Sequence, residues 1–211
     1  IYIYMFLFNI VVSRAASHHD NTLHAIRNAS LSRATPFNYG SGHVNPNAAA
    51  DPGLVYDTTP EDYVTFLRCS LGYNTSALAN VTGQAALSNF NTSSCPLHRH
   101  RPMSPSDLNY PSVSLQLLGR RGARVSRTVT YVGGGPTYEA SLSPIHGFDV
   151  EVSPSTLHFT RLGQTKRFRL KFRVSSKGNF SSPSSLSTWV FGYLTWTDGV
   201  RRVSSPIAVQ P

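Results

Sequence analysis

From residue 107 onward the chain is a succession of short runs rich in Val, Leu, Phe, Tyr and Thr, each closed by a turn former. The runs cover 108–117, 125–132, 137–143, 148–152, 157–159, 166–174, 188–197 and 200–209. Between them stand Gly133-Gly134-Gly135-Pro136, Ser143-Pro144, Ser153-Pro154, Gly163 and a Ser-rich stretch over 175–187. Asp198-Gly199 between two β runs is a strong two-residue hairpin signal. Seven or eight strands in about 100 residues predict an immunoglobulin-like β-sandwich.

Charge patterning supports that reading. Charged residues make up 14 % of the chain, and the net charge is +9; an average globular chain is about 25 % charged. Basic residues gather at Arg120, Arg121, Arg124 and Arg127, and again at Arg161, Lys166, Arg167, Arg169, Lys171 and Arg173. In the second group they alternate with Leu170, Phe172 and Val174, the pattern of a half-buried strand with a solvated basic face. No nucleic-acid recognition motif accompanies the basic residues, so no nucleic-acid partner is expected.

The first half reads differently. Residues 1–12 are almost wholly apolar. A membrane span needs about 20 such residues, and a secretory signal should open with a basic segment that is missing here. No membrane partner and no convincing signal peptide are expected, and 1–33 is expected to be a disordered or aberrant segment. Residues 35–57 are dense in Gly, Pro and Asn, which argues for irregular structure laid over a larger body. A helix is predicted next: Thr59 caps it, Pro60 takes the first position and Asp62 completes a capping box. Tyr63, Phe66, Leu67 and Leu71 recur at helical spacing, and Gly72 stops the helix. Such a helix, about three turns long, needs a body to pack on.

Residues 74–106 are polar. Cys69 and Cys95 fit no zinc or thioredoxin spacing, which leaves two free thiols or one disulfide. Five sequons, at Asn28, Asn74, Asn80, Asn91 and Asn179, point to a secreted chain and favour the disulfide. His98-Arg99-His100-Arg101 lacks the carboxylate or thiolate partners of a metal site. No metal or other cofactor is expected.

Several long motifs occur in order. They are Ala34-Thr35-Pro36-Phe37-Asn38-Tyr39-Gly40-Ser41-Gly42-His43-Val44-Asn45-Pro46, then Ala50-Asp51-Pro52-Gly53-Leu54-Val55-Tyr56-Asp57. Asp62-Tyr63, Phe66-Leu67 and Cys69-Ser70-Leu71-Gly72-Tyr73 follow. Next come Asp107-Leu108-Asn109-Tyr110-Pro111-Ser112, Arg127-Thr128-Val129-Thr130 with Val132-Gly133, Trp196-Thr197-Asp198-Gly199 and Val203-Ser204-Ser205-Pro206-Ile207. Together they resemble the C-terminal part of plant subtilisin-like serine proteases (subtilases). Asn38, Ser41, Arg68 and Tyr131 depart from the family's usual residues.

The resemblance implies that 34–106 is the end of a catalytic domain with its linker and that 107–211 is a fibronectin type-III-like domain. It implies an extracellular parent and, as partner, a subtilase catalytic domain in the same polypeptide. The family's Ser motif should lie just before residue 34, yet Ser13, Ser17, Ser30 and Ser32 lack its flanking pattern. His43 and His146 lack the context of the family's catalytic His. A hydrolytic serine needs a base, a group to orient that base and oxyanion donors. The chain alone is therefore expected to be no enzyme, with no catalytic residue. The expected role is a non-catalytic portion whose sandwich supports and covers a protease domain; the alternative is a free extracellular binding module.

Overall fold

The computed structural model describes residues 26–42, 45–83, 95, 103–117, 122–175 and 188–211. The 1–25 segment, His43, Asn91, the 98–101 stretch, Asn179 and most of the Ser-rich loop lie outside the described residues. The described part is mainly β. Two short helical turns, α1 (Pro36–Tyr39) and α2 (Pro46–Ala49), precede strand β1 (Leu54–Val55). Helices α3 (Pro60–Cys69) and α4 (Thr75–Thr82) follow, then a 3-10 turn over Pro105–Asp107. Eight further strands complete the order: β2 (Val113–Gln116), β3 (Gly122–Tyr131), β4 (Thr137–Leu142), β5 (Phe148–Ser153), β6 (Thr156–His158), β7 (Thr165–Val174), β8 (Val190–Thr197) and β9 (Arg202–Gln210).

The strands form two facing sheets, ordered β1-β3-β7-β5 and β2-β9-β8-β4-β6. Alternation sets the register. On β7, Phe168, Leu170 and Phe172 turn inward while Arg167, Arg169 and Arg173 stay exposed, as the period of two requires. From the second sheet Tyr138, Leu157, Leu194, Trp196, Val203, Ile207 and Val209 meet them in one continuous core. Trp196 stands edge-on to Phe168, with ring centroids 5.1 Å apart, joining the two layers. This is the sandwich that the turn-punctuated sequence predicts.

The first and last runs begin later than their sequence pattern. The run over 108–117 becomes strand only at Val113, because the backbone before it bends to present carbonyls to a buried arginine. The last run starts at Arg202 because Asp198 captures the N–H groups of Val200 and Arg201 in the hairpin turn.

The strand β1 is the element least visible in the sequence. Its two residues pair antiparallel with the end of β3, Leu54 opposite Tyr131 and Val55 opposite Thr130. Leu54 and Val55 have no exposure and Tyr56 has 1 %. Leu54 and Tyr56, in a segment expected to be irregular structure laid over a larger body, thus belong to the sandwich core.

Helix α3 starts as its sequence dictates. The Thr59 hydroxyl accepts the Asp62 N–H at 3.2 Å, and the Asp62 carboxylate accepts the Thr59 N–H at 2.7 Å. Gly72 takes φ of +75° just beyond its end, a conformation costly to residues with a Cβ. Burial falls on Val64 instead of the expected stripe. Val64 packs on Leu78 of α4, while Tyr63, Phe66 and Leu67 are half-buried and Leu71 is exposed. The helix α4, in the stretch read as polar, is nucleated by Asn74, whose Oδ1 accepts the Ala77 N–H at 2.9 Å. The structure bridges Cys69 at the end of α3 to Cys95, with Sγ–Sγ 2.11 Å and Cα–Cα 5.5 Å. Among the described residues no helix is long and apolar enough to cross a membrane.

Candidate functional site

The residues that hold unusual positions gather where the 34–58 segment meets the sandwich. Asp107-Leu108-Asn109-Tyr110-Pro111-Ser112 organises the first cluster. Asn109 donates through Nδ2 to the Asp57 and Thr128 carbonyls, both at 2.9 Å, and accepts the Thr128 N–H at 2.8 Å. One side chain thereby ties the segment to β3. The Thr130 hydroxyl donates to the Asp57 carboxylate, and the Tyr56 hydroxyl pairs with Ser205 Oγ of β9 at 2.8 Å. Burial pushes the Tyr56 phenol up to about 12, with the Ser205 hydrogen bond and the Arg127 charge pulling the other way.

Arg127 is the largest departure from the charge reading. The sequence groups it with the basic residues Arg120, Arg121 and Arg124, yet it is 4 % exposed. Its Nε donates to the Tyr110 carbonyl at 2.8 Å, Nη1 to Ser106 and Ser126 at 2.8 and 2.9 Å, and Nη2 to Ser112 at 3.1 Å. A rigid planar fork that must be satisfied on all sides suits arginine alone. Burial lowers its pKa to about 10, against the opposing pull of Tyr56 and Asp107. The signal was present in the sequence: Arg127 shares parity with Val125, Val129 and Tyr131, which all face inward.

A second cluster sits at the Gly-rich turn. The Asp198 carboxylate, 1 % exposed, accepts the Gly135 N–H at 2.8 Å and Arg201 Nη1 at 3.1 Å. Burial would raise its pKa, but N–H groups of Arg201, Gly135 and Val200 outweigh it and hold the carboxyl well below its usual range. Arg201 reaches across to Asp51 of the N-terminal segment. At Gly134, with φ of +92°, a Cβ would lie 2.4 Å from the Tyr138 hydroxyl and 2.6 Å from Asp198 Oδ2, so the turn accepts only glycine.

A third contact is aromatic. Phe37 of α1 stands edge-on to Trp189 and Phe191, each at 5.1 Å, and the Tyr39 and Tyr193 hydroxyls meet at 2.5 Å. All three clusters fix the N-terminal segment against the sandwich; their chemistry is attachment.

The candidate residues from the sequence fall as follows. His146 is exposed on the turn between Ile145 and Phe148. Asn28 is half-buried and accepts the N–H groups of Ser30 and Ser32 at 3.1 and 3.0 Å. Asn74 and Asn80 are exposed at the cap and on the surface of α4. Among the described residues no three His, Cys, Asp or Glu come together as a metal site would require.

The fold is a two-sheet β-sandwich, and residues 107–209 match the fibronectin type-III domain family. Nearly the whole chain also matches plant proteases. It is 42 % identical over 185 residues to Subtilisin-like protease SBT5.3 of Arabidopsis thaliana, covering 88 % of this chain and 22 % of that protein. It is 40 % identical over 202 residues to Subtilisin-like serine-protease S of Lotus japonicus, covering 94 % and 24 %. Subtilisin-like protease Glyma18g48580 of Glycine max is 38 % identical over 192 residues, covering 90 % and 22 %. The chain is thus a relative of part of the plant subtilisin-like proteases, a part that includes their fibronectin type-III domain. It spans between a fifth and a quarter of the length of these relatives.

Proposed function

We propose that this chain is a non-catalytic portion of a subtilisin-like serine endopeptidase, in which the sandwich supports and covers a protease domain of the same polypeptide. The observation that carries this reading is the burial of Leu54 and Tyr56 in the sandwich core. The motif around them resembles the end of the protease domain. A sandwich that takes its edge strand from that stretch is locked to whatever the stretch continues into, and is no pendant on a free linker. The Asp51–Arg201 and Asn109–Asp57 contacts add polar ties at the same junction. The proposed division is 34–106 for the remnant and linker and 107–211 for the sandwich, with β1 crossing that boundary in space.

The chain works outside the cell in this reading. The Cys69–Cys95 bridge suits an oxidising compartment, and the exposed Asn74 and Asn80 offer glycan acceptors. Two experiments test the proposal. The purified 211-residue chain should take no label from a serine-directed fluorophosphonate; labelling would overturn the non-catalytic assignment. Replacing the matching region of the Arabidopsis relative with this chain should preserve its folding and activity, while an unrelated sandwich in that place should not. Equal activity from both replacements would remove the supporting role.

A further inference from the structure

The outer face of the β1-β3-β7-β5 sheet carries a row of cations that neither the fold nor the junction uses. Arg167, Arg169, Lys171 and Arg173 all point outward from β7, since Phe168, Leu170 and Phe172 between them are buried. Outward residues on one strand repeat every ~6.8 Å, so the four span about 20 Å in a line. Arg124 on β3 stands directly opposite Lys171, and like charges so paired destabilise a sheet. On the other side β5 offers Asp149 opposite Arg173 and Glu151 opposite Lys171. Five cations therefore face two carboxylates. Among the described residues the ion pair formed across this face is Arg173–Glu151, at 4.0 Å with both side chains more than half exposed, a contact that contributes little. A concavity of about 570 Å³ opens beside the row, and Arg124, Arg169, Lys171 and Arg173 help to line it, together with Asp107.

The geometry points to this face as a docking surface for a linear polyanion bearing carboxylates, of the acidic-polysaccharide class. A straight row of evenly spaced cations suits a linear partner with repeating charge. The other accessible residues of these three strands on this face are Gly122, Ser126, Thr128, Ser153 and Thr165. None is aromatic, so the face lacks the stacking platforms on which proteins hold single-stranded nucleic acid. None is a large apolar residue, so it lacks the anchors that seat a protein in a lipid interface. The disulfide fits an oxidising space outside the cell, where acidic polysaccharides are the abundant polyanions. The surface stands whether or not the protease reading holds, because none of its five cations belongs to the junction.

The test uses the full 211-residue chain and immobilised polygalacturonate, with binding followed as ionic strength is raised. Affinity should fall steeply with salt. The triple variant Arg167→Gln, Arg169→Gln, Arg173→Gln should bind at least about tenfold more weakly, the equivalent of ~1.4 kcal/mol. A control triple with the same charge loss away from the face, Arg27→Gln, Arg33→Gln, Arg161→Gln, should bind within about twofold of wild type, a difference well below 1 kcal/mol. Both variants should keep the wild-type circular dichroism. Equal losses from both triples would reduce the effect to net charge and overturn the proposal. Tighter binding to a DNA oligonucleotide or to phosphatidylserine vesicles at the same ionic strength would overturn it too, as would no binding at low salt.

Discussion

The strand β1 gives the sharpest test of how the chain is built. Leu54 has no exposure and sits in the core shared with Tyr131, Tyr56 and the second sheet. Truncation to alanine removes its transfer energy and leaves a cavity that neighbours in a stiff sheet fill only in part. Buried Leu→Ala changes cost about 2–5 kcal/mol, and a domain of this size holds only ~5–15 kcal/mol in all. Leu54→Ala should therefore remove a large share of the stability and lower Tm by roughly 8–20 °C, at ~4 °C per kcal/mol for a domain of about 100 residues. The assay is urea unfolding followed by tryptophan fluorescence in a Trp189→Phe background, which leaves Trp196, at 0 % exposure in the sandwich core, as the reporter. The reporter lies in the sandwich and the mutation lies more than 50 residues before its sequence boundary. The midpoint should drop with an unchanged slope. Leu162→Ala, at a position 68 % exposed, should change stability by less than about 0.5 kcal/mol. If Leu54→Ala behaves like Leu162→Ala, the strand is no part of the cooperative unit and the supporting role loses its footing.

Other residues make distinct predictions. Arg127→Lys keeps the charge but cannot reach all of the carbonyls of Ser106, Tyr110, Ser112 and Ser126; unfolding should show a loss of about 2–3 kcal/mol, and a neutral result would remove the arginine's structural role. Tyr56, Tyr110, Tyr138 and Tyr193 all have phenols raised above 10.0 by burial. Their neutral forms contribute stability that is complete below pH 10 and is lost as pH rises through the higher folded values, while Arg127, with its folded pKa depressed, works in the opposite direction between about 10 and 12.5. Ultraviolet titration should therefore show a late-ionising class of tyrosines that merges with unfolding; a single class near pH 10 would contradict the burial. Asp198 has its folded pKa depressed, so its contribution is present above 3.8 and fades as pH falls below it. Asp198→Asn should cost about 1.5–3 kcal/mol near neutrality and flatten acid unfolding in that window, a difference that denaturant titrations at pH 7 and pH 3 would show or refute.

The sandwich was legible because its information is local. Alternation on β7 and β8, the Asp198-Gly199 hairpin and the proline and glycine punctuation each act over a few residues, and the sheets follow once every run must hide one face. Thr59-Pro60 with Asp62 fixed the start of α3 in the same way. The family motifs likewise carried their meaning in the sequence, and the plant relatives bear out that resemblance.

What the sequence could not decide is who meets whom at long range. Two residues, Leu54 and Val55, are too few to announce a strand; they are one only because β3 leaves an edge free to pair with them. Arg127 reads as one more surface cation until the 106–112 backbone wraps it with carbonyls. Tyr63, Phe66 and Leu67 carry the helical spacing of a core stripe, but Val64 is buried because Leu78 of α4 comes to that side. Periodicity says which residues can share a face; only tertiary contact, through the removal of water from both partners at once, says which face is covered.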